Sequence, residues 1–136
     1  MTSTLKVAFF DIGGTLGTVD ATTFKLTLFV DSKALLDIFK RVLSLRLGII
    51  SNTPQNFTQT HFTRMLEDAG VTRFFDSRCL IASSIVGTDK SHQEIFKLAA
   101  RQANVDIKQC LYIGESPDEL RVAMQAGMSG LLKPIP

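Results

Sequence analysis

Four places in this 136-residue chain put reactive side chains directly after apolar runs. Asp11 ends Leu5-Lys6-Val7-Ala8-Phe9-Phe10 and is followed by Ile12-Gly13-Gly14, whose glycines let the backbone approach a ligand closely. Ser51-Asn52 ends Leu45-Arg46-Leu47-Gly48-Ile49-Ile50, and Lys90 follows Cys79-Leu80-Ile81-Ala82 after a short interval. Glu115 and Glu119 come after Gln109-Cys110-Leu111-Tyr112-Ile113-Gly114. A carboxylate nucleophile, a hydroxyl, a cation and two further acids form the set that phosphoryl transfer with Mg²⁺ uses. The hydroxyl and amides hold phosphate oxygens, the lysine offsets their charge, and the acids hold the metal. Each residue also has a plainer reading in isolation: Asp11 as a turn cap, Lys90 as a solvated charge, Glu119 as the acidic member of a capping box with Ser116.

These groups act together only if the chain brings them to one edge. Val-, Ile- and Phe-rich runs alternating with helical patterns imply strands buried on both faces. The expected fold is a three-layer α/β/α, Rossmann-like sandwich around a mostly parallel sheet, whose reactive groups gather past the carboxyl ends of the strands. One helix is expected from a Ser32 cap with Leu35, Leu36, Phe39, Val42 and Leu43 as its apolar stripe. A second starts at Thr53-Pro54, buries Phe57, Phe62, Met65 and Leu66, and ends at Gly70. Ser91 to Glu94 has capping-box spacing and opens a helix to about Ala103; Ser116-Pro117 opens another that runs to Gly127. Gly130 to Lys133 is a last strand. Residues 17–31 fit a short flap, with a hairpin from the Thr/Phe alternation at 22–29.

Length and composition are those of a single globular domain over 1–136, with 45% hydrophobic and 21% charged residues. A net charge of +2 with scattered Lys and Arg gives no nucleic-acid signal. Cys79 and Cys110 lie in apolar runs without metal-ligand spacing and read as buried, reduced thiols. No apolar stretch reaches membrane-spanning length and no signal-peptide pattern follows Lys6, so a cytoplasmic protein without membrane contact is expected.

The four places, in this order, resemble the haloacid dehalogenase (HAD) superfamily of phosphohydrolases. Phe10-Asp11-Ile12-Gly13-Gly14-Thr15-Leu16 is similar to its first motif and Ile49-Ile50-Ser51-Asn52 to its second. Gly87-Thr88-Asp89-Lys90 through Phe96 resembles the third, and Tyr112-Ile113-Gly114-Glu115 through Glu119, with Ala126-Gly127 trailing, the fourth. The resemblance implies Asp11 as the nucleophile that forms an aspartyl-phosphate, with Ser51 and Lys90 binding the transferring phosphoryl group. Asn52, Gly14 and Thr15 would stand beside that phosphate. Mg²⁺ is the implied cofactor, with Asp11, the Gly13 carbonyl, Glu115 and Glu119 as its ligands.

Three departures from the pattern qualify what it implies. Gly13 stands where most family phosphatases carry a second aspartate, which protonates the leaving group and then activates water; such a group is worth about 10²–10⁴ in rate. Asp20 is a weaker candidate for the same task. Glutamate replaces aspartate at both fourth-motif positions, which lengthens each ligand by one methylene around a cation that demands near-ideal geometry. The short intervals leave no room for a sizeable cap domain, so the site would be open to a small or macromolecular phosphorylated substrate, or be covered by a partner or a second copy. The expected function is a Mg²⁺-dependent phosphatase. The alternative is a degenerate HAD-like domain that binds or regulates. A sugar-kinase-like reading of Asp11-Ile12-Gly13-Gly14-Thr15 lacks a second phosphate loop, and Gly13-Gly14-x-x-Gly17 is not a dinucleotide fingerprint.

Overall fold

Alternate residues of the first strand face opposite sides of a buried sheet. In the computed structural model, which describes residues 4–136, β1 (Val7–Phe10) sends Ala8 and Phe10 into one core and Val7 and Phe9 into the other. A hairpin follows, β2 (Gly17–Val19) and β3 (Leu26–Leu28), and then helix α1 (Ser32–Asp37), which continues as a π-helical turn over Ile38–Val42. β4 (Arg46–Ser51), α2 (Gln59–Ala69), β5 (Leu80–Ala82), α3 (Ser83–Val86), α4 (Gln93–Ala103), β6 (Cys110–Gly114), α5 (Pro117–Ala126) and β7 (Ser129–Leu132) complete the chain.

The five strands outside the hairpin form one sheet in the order β5-β4-β1-β6-β7, every pairing parallel. Phe39, Phe62, Met65 and Leu66 cover one face and Ile95, Phe96, Ala99, Leu120 and Ala123 the other, giving the three layers. The order reverses at β1, with β4 on one side and β6 on the other, so the crevice at the carboxyl end of β1 is where ligands bind in such sheets. Cys79 and Cys110 are free and buried, and burial pushes the Cys110 thiol up to about 12. No helix among the described residues is long and apolar enough to cross a membrane.

Several helix starts differ from the sequence expectation, each because the capping group is already engaged. The Thr53-Pro54 start does not form. Thr53 donates its N–H to Ser83 Oγ at 2.8 Å, and the Phe57 N–H closes a turn onto the Pro54 carbonyl at 2.9 Å. That turn drives Phe57 into the core, and α2 begins at Gln59 with Thr58 and His61 as a reciprocal capping box. Asp31, not Ser32, precedes α1, because the buried Ser32 hydroxyl donates to the Leu16 carbonyl at 2.6 Å. Ser91 turns back on Asp89, so His92 takes the cap position of α4, and Glu94 pairs with Arg101 instead. The π-helical turn shifts the apolar stripe of the first helix, and Val42 and Leu43 emerge to solvent.

Arg46, at the entry to β4, clamps this framework away from the site. It donates to Asp76 Oδ2 at 3.0 and 3.1 Å and to the Ala103 carbonyl at 2.7 Å. The Arg78 guanidinium and N–H, followed by Arg46, hold the Asp76 carboxyl down from 3.8 to about 2. A folded-state value below the unfolded one stabilises the protein above the unfolded value, and the gain disappears as pH falls through the folded value. Asp76→Asn is therefore expected to cost about 1–2 kcal/mol at neutral pH. In urea unfolding the gap between variant and parent should close between about pH 4 and pH 2; a gap that persists at the acid end contradicts this assignment.

Candidate active site

Parallel pairing brings the carboxyl ends of β1, β4 and β6 side by side, and with them Asp11, Ser51 and Glu115. Lys90 reaches the same point from the loop before α4, and Glu119 from the first turn of α5. The centre is the Lys90 ammonium, whose side chain is only 2% exposed. It lies 2.8 Å from Asp11 Oδ1, 2.8 Å from Glu119 Oε1 and 3.0 Å from the Tyr112 hydroxyl. An ammonium has three N–H donors, and each has an acceptor here, which is what a buried cation requires.

Asp11 is held as tightly as its partner. Its Oδ1 also accepts the Ile12 N–H at 2.8 Å, so among the described hydrogen bonds every donor to this carboxylate goes to Oδ1 and none to Oδ2. Burial pushes the Asp11 carboxyl above the ordinary carboxylate range; the Lys90 ammonium opposes that rise and the Glu119 carboxylate adds to it. Burial likewise raises Glu115, helped by the neighbouring Asp11 and Glu119 charges. The cluster carries more negative than positive charge in a confined space.

Tyr112 is the residue that sequence reasoning missed. Burial pushes its phenol far above the usual range, so the hydroxyl stays protonated, donating to Glu119 Oε1 at 3.3 Å while accepting from Lys90. A tyrosine in an otherwise apolar buried strand was the available signal, because a buried phenol needs a polar partner. The capping-box reading of Glu119 holds only for its backbone. Its N–H donates to Ser116 Oγ at 3.3 Å, and its carboxylate turns to Lys90 instead of to the cap.

The groups expected beside the phosphate divide differently. Ser51 is 6% exposed and lines the cavity next to Gly13. Asn52 accepts the Lys90 backbone N–H on its carboxamide oxygen at 2.9 Å, which makes it a clamp on the Lys90 loop. Gly14 and Thr15 sit in a turn: their N–H groups donate to the Gly17 and Ile12 carbonyls at 2.8 and 3.1 Å, and the buried Thr15 hydroxyl has no partner among the described residues. The tight turn into β2 consumes both amides. Gly14 has another reason to be glycine. Its φ is +83°, and a Cβ would stand 2.7 Å from Glu115 Cγ, so the bare backbone is what lets Glu115 lie across the loop. At Gly13 a Cβ would meet nothing within 4 Å. The Thr23 and Thr22 amides donate to Asp20 Oδ1 at 2.8 Å each and hold its carboxyl below the usual carboxylate range.

The described residues hold no ready-made group of three metal-ligand side chains. The donor chemistry nevertheless fits a hard divalent cation: Asp11, Glu115 and Glu119 supply carboxylate oxygens, and Gly13 a backbone carbonyl. Their mutual repulsion, visible in the raised Glu115, is what such a cation would relieve. Glu119 would have to leave Lys90 or act through water.

Tyr112→Phe removes one acceptor from Lys90 and one donor from Glu119 in the same place. It should lower stability by about 1 kcal/mol in urea unfolding, and an unchanged midpoint would show that the hydroxyl carries no part of the network.

A family model for haloacid dehalogenase-like hydrolases matches residues 17–127. A phosphoglycolate phosphatase of Colwellia psychrerythraea is 28% identical over 113 residues, which cover 79% of this chain and 47% of that protein. The chain thus spans about half the length of this curated relative. Among solved structures, a protein of Listeria monocytogenes serotype 4b superposes with a TM-score of 0.79 at 24% identity, covering 93% of this chain and 76% of the other. A HAD family enzyme of Bacteroides thetaiotaomicron, in complex with magnesium and inorganic phosphate, superposes at 0.71 with 16% identity over 96% and 95% of the two chains. These structural likenesses concern the fold; the family model covers most of the chain, which belongs to the haloacid dehalogenase-like hydrolases.

Proposed function

We propose that this protein is a Mg²⁺-dependent phosphatase that works through an aspartyl-phosphate on Asp11. The observation that carries the reading is the asymmetric Asp11 carboxylate, with Oδ1 fixed by Lys90 and the Ile12 amide and Oδ2 left without a protein donor among the described hydrogen bonds. In the proposed reaction Oδ2 attacks the phosphorus of a monoester, and the bond to the leaving oxygen breaks as the aspartyl-phosphate forms. Water then cleaves that phosphate, which restores the carboxylate and releases inorganic phosphate. Lys90 keeps Asp11 oriented and offsets the charge of the phosphoryl oxygens. Ser51, beside Gly13 on the cavity wall, supplies a hydroxyl to the same group. Asp11, the Gly13 carbonyl, Glu115 and Glu119 would hold Mg²⁺, which supplies charge stabilisation when bound.

Gly13 sets the character of the reaction. No carboxyl at that position protonates the departing oxygen, so aryl and acyl phosphates, whose leaving groups need little protonation, are favoured. The name of the Colwellia relative makes 2-phosphoglycolate a compound to include among the substrates. A second reading, a binding or regulatory module without turnover, is favoured by the contact of Glu119 with Lys90 at 2.8 Å together with the missing acid.

Hydrolysis of p-nitrophenyl phosphate should appear with Mg²⁺, vanish with EDTA, and fall to background in Asp11→Asn. Absence of turnover in folded parent protein, across several metals and phosphoesters including 2-phosphoglycolate, would favour the binding module. Because a side chain at Gly13 meets open space and the backbone there is not left-handed, Gly13→Asp should fold normally. It should raise turnover of alkyl phosphates by about 10²-fold while changing aryl phosphates less. Equal effects on both classes would show that proton supply at this position is not what limits the enzyme.

A further inference from the structure

We propose that the cavity between the β2–β3 hairpin and the segment after β4 is a leaving-group pocket selective for a compact, uncharged, apolar group, an aromatic ring above all; the proposal rests on the phosphatase reading of the adjoining site. The cavity measures about 240 Å³ and shares Gly13 and Ser51 with the reaction site, so a phosphoryl group at Asp11 has its ester substituent beside this opening. A cavity of about 150 Å³ with apolar walls is enough to hold benzene. Most of its wall is apolar, with Val19, Ala21, Phe24, Pro54 and Phe57 prominent, and Asn52 and Thr53 add polar edges beside Ser51. Among the described residues no lysine, arginine or histidine lines it, and the one charged residue there is Asp20. Two backbone amides at 2.8 Å hold the Asp20 carboxylate at the hairpin tip. An anionic substituent would therefore enter without a cation to meet it and with a carboxylate at the rim, an arrangement that costs binding.

The pocket is built before any ligand arrives. Phe24 sits at the left-handed φ of 60° with its ring buried, edge-on to Phe57 at 5.2 Å and to His61 at 4.8 Å. The base of the hairpin is tied down by the Ser32 hydroxyl and the Phe29 N–H, both donating to the Leu16 carbonyl. The polar recess that shares Thr53 lacks such apolar walls. Its Thr53 and Ser84 hydroxyls are engaged internally, Thr53 Oγ1 with Ser84 Oγ at 2.7 Å and Ser84 Oγ on the Phe57 carbonyl at 2.7 Å.

The test must separate a binding preference from the intrinsic ease with which aryl oxygens depart. Benzyl phosphate, glycerol 3-phosphate and 3-phosphoglycerate are all alkyl esters, so kcat/KM across the three reads the pocket. Benzyl phosphate should exceed each of the others by about tenfold or more. Ala21→Arg, at the exposed hairpin tip, should narrow its lead over 3-phosphoglycerate by about tenfold. Benzylphosphonate, which is not hydrolysed, should shift the backbone amide resonances of Val19, Ala21, Phe24 and Phe57 and do so at lower concentration than 3-phosphoglycerate. Equal kcat/KM for the three esters, or a benzylphosphonate titration that leaves those four amides unmoved, overturns the proposal. If neither these esters nor p-nitrophenyl phosphate is turned over, the phosphatase reading fails by itself. The phosphonate titration then still decides: selective shifts at the four amides support an apolar ligand pocket, and their absence refutes it.

Discussion

An ammonium withdrawn from water must have every N–H satisfied, and the architecture of this site follows from that demand on Lys90. Three acceptors meet it from three different elements: Asp11 after β1, Tyr112 on β6 and Glu119 on α5. Removing any one leaves a buried donor unpaired or a buried carboxylate without its counter-charge, which is the expensive half of a buried ion pair. Asn52, on the loop after β4, adds a fourth anchor by fixing the Lys90 backbone. The segments at Asp11, Asn52, Lys90 and Tyr112 to Glu119 are thus locked to one point, and the relative position of the Asp11 carboxylate and the Lys90 ammonium is fixed within the fold. Preorganisation of this kind is what lets fixed charges act on a transition state without first rearranging.

The network has a consequence for the acids around it. Asp11 and Glu119 share one buried cation; burial raises Asp11, with the Glu119 charge adding to the rise, and burial raises Glu115, with the Asp11 and Glu119 charges adding. A divalent cation would compete with Lys90 for Glu119, so the longer glutamate side chain at this position has two partners within its reach. Gly14 completes the arrangement from the other side. Without a Cβ it allows Glu115 to lie against the loop, whereas Gly13 faces open space and its lack of a side chain is a chemical difference, not a steric one.

The hairpin that follows Asp11 forms a wall of the cavity beside Gly13 and Ser51. Its strands are short, and an isolated two-stranded hairpin is marginal in water. Here it is held by the buried ring of Phe24 on α2 and by the Ser32 hydroxyl at its base. The same contacts explain why α2 starts late. Phe57 has to turn inward to meet Phe24, and the helix cannot begin until that turn is complete.

Much of this was legible in the residues themselves. Apolar runs ending in Asp11, Ser51 and Glu115 mark strands buried on both faces, because only a doubly covered parallel sheet suits such runs; the order of strands and helices then places their ends together. The identity of the charged groups, the missing acid at Gly13 and the lack of room for a large insertion are also properties of the sequence, since they depend on residue type and interval alone. What tertiary structure decided is which of several available partners each polar group takes. Ser32, Thr53 and Ser91 all carry capping hydroxyls, yet the carbonyl of Leu16, the hydroxyls of Ser83 and Ser84, and the carboxylate of Asp89 claim them first. Gly14 and Thr15 match a phosphate-loop pattern, yet their amides close a turn. Tyr112 reads as one more core residue of β6 until Lys90 and Asp11 arrive from distant segments and Glu119 turns back from the next helix. A hydrogen bond is settled by competition among donors and acceptors at short range, and that competition exists only once the chain has folded.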